Sequence, residues 1–191
     1  MAIDHEARRR QIAEIAIDVI ASEGIAAATI RRIASQARFS TAAVTHYFAN
    51  KQELLAWTFA VLSAKGDESF EAALRETPGD AVHALLTFTA WCPANVRRWR
   101  AYLAFWDAAA RDEELAGLIR GATAAGIADI ERLLRLRHGE THDCVKASRL
   151  LNSIVQGVSL QAIVAPQDWP EDVIRATLAE GVEAALSAAR F

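Results

Sequence analysis

Between Thr29 and Phe48 the chain carries two short apolar runs separated by only a few residues. Ile30, Ile33, Ala34 and Ala37 recur at helical spacing behind Thr29, whose hydroxyl suits the cap position before a helix. Arg38-Phe39 make a tight connection, and Ser40 is placed to cap a further helix over Thr41 to Tyr47. Ala34 lets two such helices cross closely, with Phe39 and Val44 as apolar wedges, so the pattern predicts a helix-turn-helix. A unit this small cannot bury its own apolar faces. The helices on either side of it must supply the rest of the core.

Those flanks read as helices too. Ile12, Ile15, Ala16, Val19 and Ile20 form the stripe of an amphipathic helix over residues 5 to 23, which Gly24 can end in a left-handed conformation. A helix from Lys51 to about Phe70 runs through Leu54, Leu55, Phe59 and Leu62, and Pro78-Gly79 break the chain after it. Helices follow over Asp80 to Trp91 and, with Pro93 near the first turn, over Ala94 to Arg111. Asp112-Glu113-Glu114 open one that reaches Arg132, Arg135 and Arg137, a charge order the helix dipole favours. Thr141 is expected to cap another through Val164, stopped by Pro166, and Pro170-Glu171-Asp172 to start the last, ending near Ala189. No strand pattern, internal repeat or low-complexity linker interrupts them. The expected fold is all-α with about nine helices, a three-helix unit over residues 1–51 and a larger helical region over 52–191, linked by the helix at 51–70.

Composition removes several classes. Hydrophobic residues are 52% and charged residues 24%, a globular balance, and no apolar run approaches the ~20 residues of a membrane span. The opening MAIDHEARRR lacks an apolar segment, which predicts no secretory signal and a cytoplasmic protein. Cys92 and Cys144 lack CxxC spacing and read as idle thiols. There is no GxSxG, HExxH or Walker-type loop, and His138, His142 and Asp143 read as a polar stretch between helices rather than a metal site. No catalytic residue, metal or cofactor is expected. Net charge is −3, but its distribution matters more: +2 over residues 1 to 51 and −5 over the remainder. A mildly basic head on an acidic body suits a nucleic-acid-binding module.

In a helix-turn-helix the second helix enters the major groove while its neighbours hold the backbone. Small Ala42 and Ala43 would let it approach base edges, and Thr29, Ser40, Thr41, Thr45, His46, Tyr47 and Lys51 are donors suited to phosphates. Thr29-Ile30-Arg31-Arg32-Ile33-Ala34, Phe39-Ser40, His46-Tyr47-Phe48 and Lys51-Gln52-Glu53-Leu54-Leu55 resemble the N-terminal DNA-binding domain of the TetR family of bacterial repressors. The resemblance covers roughly residues 8 to 55. It implies backbone contacts from Thr29, Ser40, Thr41, Thr45, Tyr47 and Lys51, base-edge proximity for Arg38, Thr41, Ala42 and His46, and a place for Arg31 on the same surface. Arg38 departs from the pattern, because that turn position is very often Gly in the family. A positive φ there would cost about 1 kcal/mol.

Trp99, Tyr102 and Trp106 share one helical face, with Phe105 beside them and Trp91 just upstream. They are either core or the wall of a ligand pocket, since aromatic faces attract cations and quaternary ammonium groups in particular. Asp107, His83 or Asn95 could supply a polar partner. Trp99-Arg-Ala-Tyr-Leu-Ala-Phe-Trp106 together with Thr45-His-Tyr-Phe48 is similar to the BetI subgroup, the choline-responsive repressors. A cationic or hydrophobic inducer is therefore expected, with polyamines, aromatic amines and neutral hydrophobes left open. The last two helices are apolar on more than one face, which fits either a core or an interface. Family resemblance implies a homodimer through Leu151, Ile154, Val155, Val158, Val182 and Leu186, hence a palindromic double-stranded DNA operator. The rival expectations are a constitutive architectural DNA binder without a ligand, and an all-helical enzyme or partner-binding protein.

Overall fold

The computed structural model describes residues 5–138 and 143–189, and among them every regular element is helical. Nine α-helices follow in order: α1 (His5–Glu23), α2 (Ile30–Ala37), α3 (Thr41–Thr45), α4 (Lys51–Glu76), α5 (Ala81–Leu86), α6 (Pro93–Ala109), α7 (Glu113–His138), α8 (Cys144–Val164) and α9 (Glu171–Ala188). A single 3-10 turn, Ile25–Ala27, links α1 to α2. The chain forms two compact units, one of Met1–Lys65 with Arg100–Ile119, the other of Gly66–Trp99 with Arg120–Phe191. Helices α4, α6 and α7 contribute residues to both.

In the first unit Ile12, Ile17, Ile20, Ile33, Val44, Phe48 and Leu54 are fully buried, each worth about 1.5–3 kcal/mol of transfer free energy. The buried arc of α1 is wider than the sequence stripe, because Ala13 and Ile17 are also inside and Ile15 is only half-buried. Gly24 ends α1 at φ 82° and ψ 169°, an extended positive-φ conformation rather than the left-handed helical one, and one open essentially to glycine alone. Helix α4 outruns its expected end at Phe70 and stops at Glu76, before the turn where Gly79 takes φ 86°.

The second unit holds the main departure from expectation. Helix α5 ends at Leu86 rather than Trp91, because side chains of α6 take the carbonyls a longer helix would have used. Asn95 Nδ2 donates to Thr87 O at 3.0 Å and Thr89 O at 2.8 Å, Arg98 donates to Thr87 O, and the Trp99 indole N–H donates to Phe88 O at 2.7 Å. The Thr87 and Thr89 hydroxyls turn back onto Ala84 O and Leu86 O. Phe88 stacks on Phe70, with ring centroids 4.7 Å apart.

Helix α9 packs against α8 and α5. A Cβ on Gly181 would lie 3.0 Å from Ile154 Cδ1, so the glycine permits close approach. The expected cap at Thr141 lies outside the described residues; the cap observed is Asp143, whose carboxylate accepts the Lys146 N–H at 3.0 Å. Lys146 Nζ reaches Ala188 O at 2.7 Å and the Asp143 N–H reaches Ala189 O at 2.8 Å, fastening the start of α8 to the end of α9. No described helix is long and apolar enough to cross a membrane.

Replacing Asn95 by Leu leaves buried carbonyls short of donors. Urea denaturation of Asn95→Leu is expected to show a loss of about 1–3 kcal/mol.

Candidate nucleic-acid interface

The helix-turn-helix is set by two caps and one strained residue. Thr29 Oγ1 accepts the Arg32 N–H at 3.1 Å and Ser40 Oγ accepts the Ala43 N–H at 3.0 Å, each closing an otherwise open helix start. Between them the Phe39 N–H donates to Ala34 O at 2.9 Å and the Arg38 N–H to Ser35 O at 3.2 Å, a Schellman termination of α2. That motif demands a left-handed residue, and Arg38 supplies it at φ 56°, ψ 36°. It is the one non-glycine residue with positive φ among those described.

Helix α3 is two residues shorter than its expected extent. Its hydrogen bonds nonetheless continue as turns, with the Tyr47 and Phe48 N–H groups both donating to Val44 O. Val44 and Phe48 point into the core, which turns the rest of the segment outward. Thr29, Arg31, Arg38, Ser40, Thr41, Ala42, Thr45 and His46 are all exposed. Thr45 donates back to Ala42 O. Tyr47 is half-buried, its ring 5.1 Å from His46 and 4.8 Å from His5 of α1. Lys51 differs: its ammonium donates to Ile25 O at 3.1 Å and Ala26 O at 3.3 Å, satisfying carbonyls of the 3-10 turn. The neighbouring arginines also divide their work. Arg32 forms a two-point pair with Glu23, at 2.5 Å and 3.2 Å, and the hydrogen bond holds the Glu23 carboxyl below the usual range.

A group of residues that the sequence reading passed over fixes α1 to α4. The Arg9 guanidinium lies over the rings of Phe48 at 4.7 Å and Trp57 at 4.2 Å and pairs with Glu53 at 2.7 Å. The other oxygen of Glu53 accepts the Ala49 N–H, while Asn50 Oδ1 accepts the Glu53 N–H, both at 2.8 Å. The Asn50-x-x-Glu53 spacing is a capping signature readable without a structure.

The aromatic candidates distribute themselves differently. In the first unit Tyr102 and Phe105 meet edge-on around Phe59, at 5.7 Å and 5.0 Å, and the Tyr102 hydroxyl lies 3.2 Å from Ser63 Oγ. Phe105 is fully buried, Trp106 is exposed, and Asp107 pairs with Arg111. In the second unit Trp99 is buried and tied to Phe88 O, Asn95 is committed to the same segment, and Trp91 is exposed. His83 lies half-buried in α5. Of the residues read as interface, Leu151, Val155, Val158 and Val182 are buried within the single chain, where α8 and α9 pack, while Ile154 and Leu186 are half-exposed. The exposed apolar residues of α8 are Val145, Leu150, Leu160 and Val164. His142, one of the polar stretch near α8, lies outside the described residues, and among those described no cluster of His, Cys, Asp or Glu could hold a metal.

A capped helix-turn-helix on an all-helical body is the architecture of a bacterial transcriptional regulator. Residues 12–56 match the family described as bacterial regulatory proteins, tetR family, and residues 78–187 match the BetI-type transcriptional repressor C-terminal family. The chain belongs to the TetR family of regulators, with a BetI-type C-terminal region. It is 30% identical over 188 residues to the regulator PksA of Bacillus subtilis, covering 95% of this chain and 91% of that protein. The regulator BetI of Vibrio parahaemolyticus is 28% identical, with 89% and 87% covered. In fold, a transcriptional regulator from Rhodococcus sp. Rha1 superposes with a TM-score of 0.84 at 24% identity, over 95% of this chain and 97% of that one. A regulator from Saccharomonospora viridis solved in complex with choline gives 0.78 at 20% identity, over 93% and 96%.

Substituting the strained turn residue separates stability from binding. Arg38→Gly is expected to raise stability by roughly 0.5–1 kcal/mol, and Ser40→Ala to lower it by about 1 kcal/mol through loss of the cap, both read from thermal unfolding.

Proposed function

We propose that this TetR-family repressor binds a palindromic double-stranded operator as a homodimer and is released by a small-molecule inducer of the quaternary ammonium class. The observation that carries the DNA reading is the run of exposed hydroxyl, imidazole and small side chains on α3, from Ser40 to His46, held outward by Val44 and Phe48. Residues 1–51 are the DNA-binding head and 52–191 the ligand-binding and dimerisation region, in a cytoplasmic protein. Thr29, Thr41, Thr45 and Tyr47 bind phosphates, while Arg38, Ala42 and His46 meet base edges.

The inducer class rests on three supports: the BetI-type C-terminal family, the choline complex of a protein of the same fold, and, in the first unit, the aromatic residues Tyr102 and Trp106. Phe105, fully buried against Phe59, packs beside Tyr102. Helix α4, running from Lys51 to Glu76, is the element whose shift carries ligand binding to the head. The inducer must favour the non-binding arrangement, and a coupling of about 1–3 kcal/mol is typical.

For the dimer, the exposed residues Leu150, Gly157, Leu160 and Val164 of α8 offer an apolar face with a glycine for close helix approach, with Ile154 and Leu186 beside it. Leu151, Val155, Val158 and Val182 support it from the seam behind.

The deciding experiment is binding to the intergenic DNA upstream of the chain's own reading frame, at fixed salt, with and without choline or betaine aldehyde. Specific binding that either compound weakens at least fivefold is the expected result. Indifference to both removes the quaternary ammonium inducer, and absence of sequence preference removes the repressor. Separately, Leu150→Arg with Val164→Arg is expected to give a monomer in sedimentation equilibrium and to weaken operator binding more than tenfold; an unchanged dimer places the interface elsewhere.

A further inference from the structure

We propose that the first two turns of α1 are part of the DNA-contacting surface, with His5 and Arg8 binding backbone phosphates beside the two ends of the recognition helix. This rests on the DNA reading above and extends it to a segment distant in sequence from the helix-turn-helix. The three consecutive arginines of α1 have separate fates. Arg9 turns inward onto Phe48, Trp57 and Glu53, and Arg10 lies 3.7 Å from Glu6 on its own helix. Arg8 instead lies over the Phe39 ring, 5.0 Å from its centroid, with one guanidinium nitrogen 2.6 Å from Gln11 Oε1. Phe39 sits between Arg38 and Ser40, so Arg8 stands beside the start of α3.

One turn earlier, His5 stands beside its other end. Its ring is 4.8 Å from Tyr47 and 6.2 Å from His46, both at the close of the recognition segment. Two residues three apart on α1 therefore stand beside the two ends of α3, and His5, Thr45 and His46 are all exposed. A helix lying in the major groove has a sugar-phosphate strand on each side, and donors carried by a neighbouring helix beside it meet phosphates rather than base edges. Ring packing on Tyr47 orients His5 before DNA arrives, which limits the ordering cost of the contact.

The test uses the full chain, the intergenic DNA duplex upstream of its own reading frame, and four proteins: wild type, His5→Phe, Arg8→Gln and Ala42→Glu. His5→Phe keeps a ring against Tyr47 but has no N–H donor and no charge. It is expected to weaken specific binding roughly three- to tenfold. Arg8→Gln is expected to reduce the slope of log affinity against log salt by about one. Wild-type affinity in His5→Phe and a wild-type salt slope in Arg8→Gln, with binding lost in Ala42→Glu, overturn this inference alone. Retention of specific binding by Ala42→Glu overturns the DNA reading itself.

Discussion

Arg9 ties together three elements of the DNA-binding head that also share its core. Its guanidinium lies against Phe48 from the end of the recognition segment and Trp57 from α4, while Glu53 neutralises it and closes the first turn of α4 with its second oxygen. Arg9 Nε and Trp57 Nε1 are buried without hydrogen-bond partners among the described residues. An unmade hydrogen bond at a buried donor costs about 1–3 kcal/mol, so the cation–π contacts, worth up to ~2 kcal/mol where desolvated, must carry much of the compensation. Without this group α3, five residues long, is held by Val44 and by its packing and turn against α2.

How far the sequence could anticipate this follows from the range of each signal. Caps at Thr29 and Ser40, the break at Pro78-Gly79 and the start at Glu171 act within four residues, and all were readable. The positive φ at Arg38 was open to inference only through the family resemblance, in which that turn position is very often glycine. The partners of Arg9 were not, because Glu53 lies 44 residues away and an arginine triplet looks the same solvated or folded inward. Periodicity likewise placed Leu151, Val155 and Val158 on an apolar face without distinguishing a partner helix in the same chain from one in another. Packing against α9 settles where those side chains go, and Gly181 makes that packing close.

The connection between α5 and α6 shows the same contrast at shorter range. Nothing local in Thr87-Phe88-Thr89 forbids a helix, and the apolar pattern continues through it. What ends α5 is competition for carbonyls by Asn95, Arg98 and Trp99, whose side chains reach back from the following helix. Asn95 and Trp99 thereby serve the backbone first, and any part they take in holding a ligand is confined to the atoms left over. For Trp99 that means the ring face, since its one N–H is already engaged.

Arg38 links the stability of the head to its charge in a single side chain. The Schellman turn asks only for a left-handed backbone, which glycine provides without strain, so the guanidinium is not there for the fold. Exchange between arginine and glycine at this site alters electrostatic attraction to a polyanion and conformational strain in opposite senses, while the helix crossing stays unchanged. Descendants of this chain could therefore adjust how tightly they hold a duplex by mutation at one turn, provided the remaining core tolerates about 1 kcal/mol in either direction.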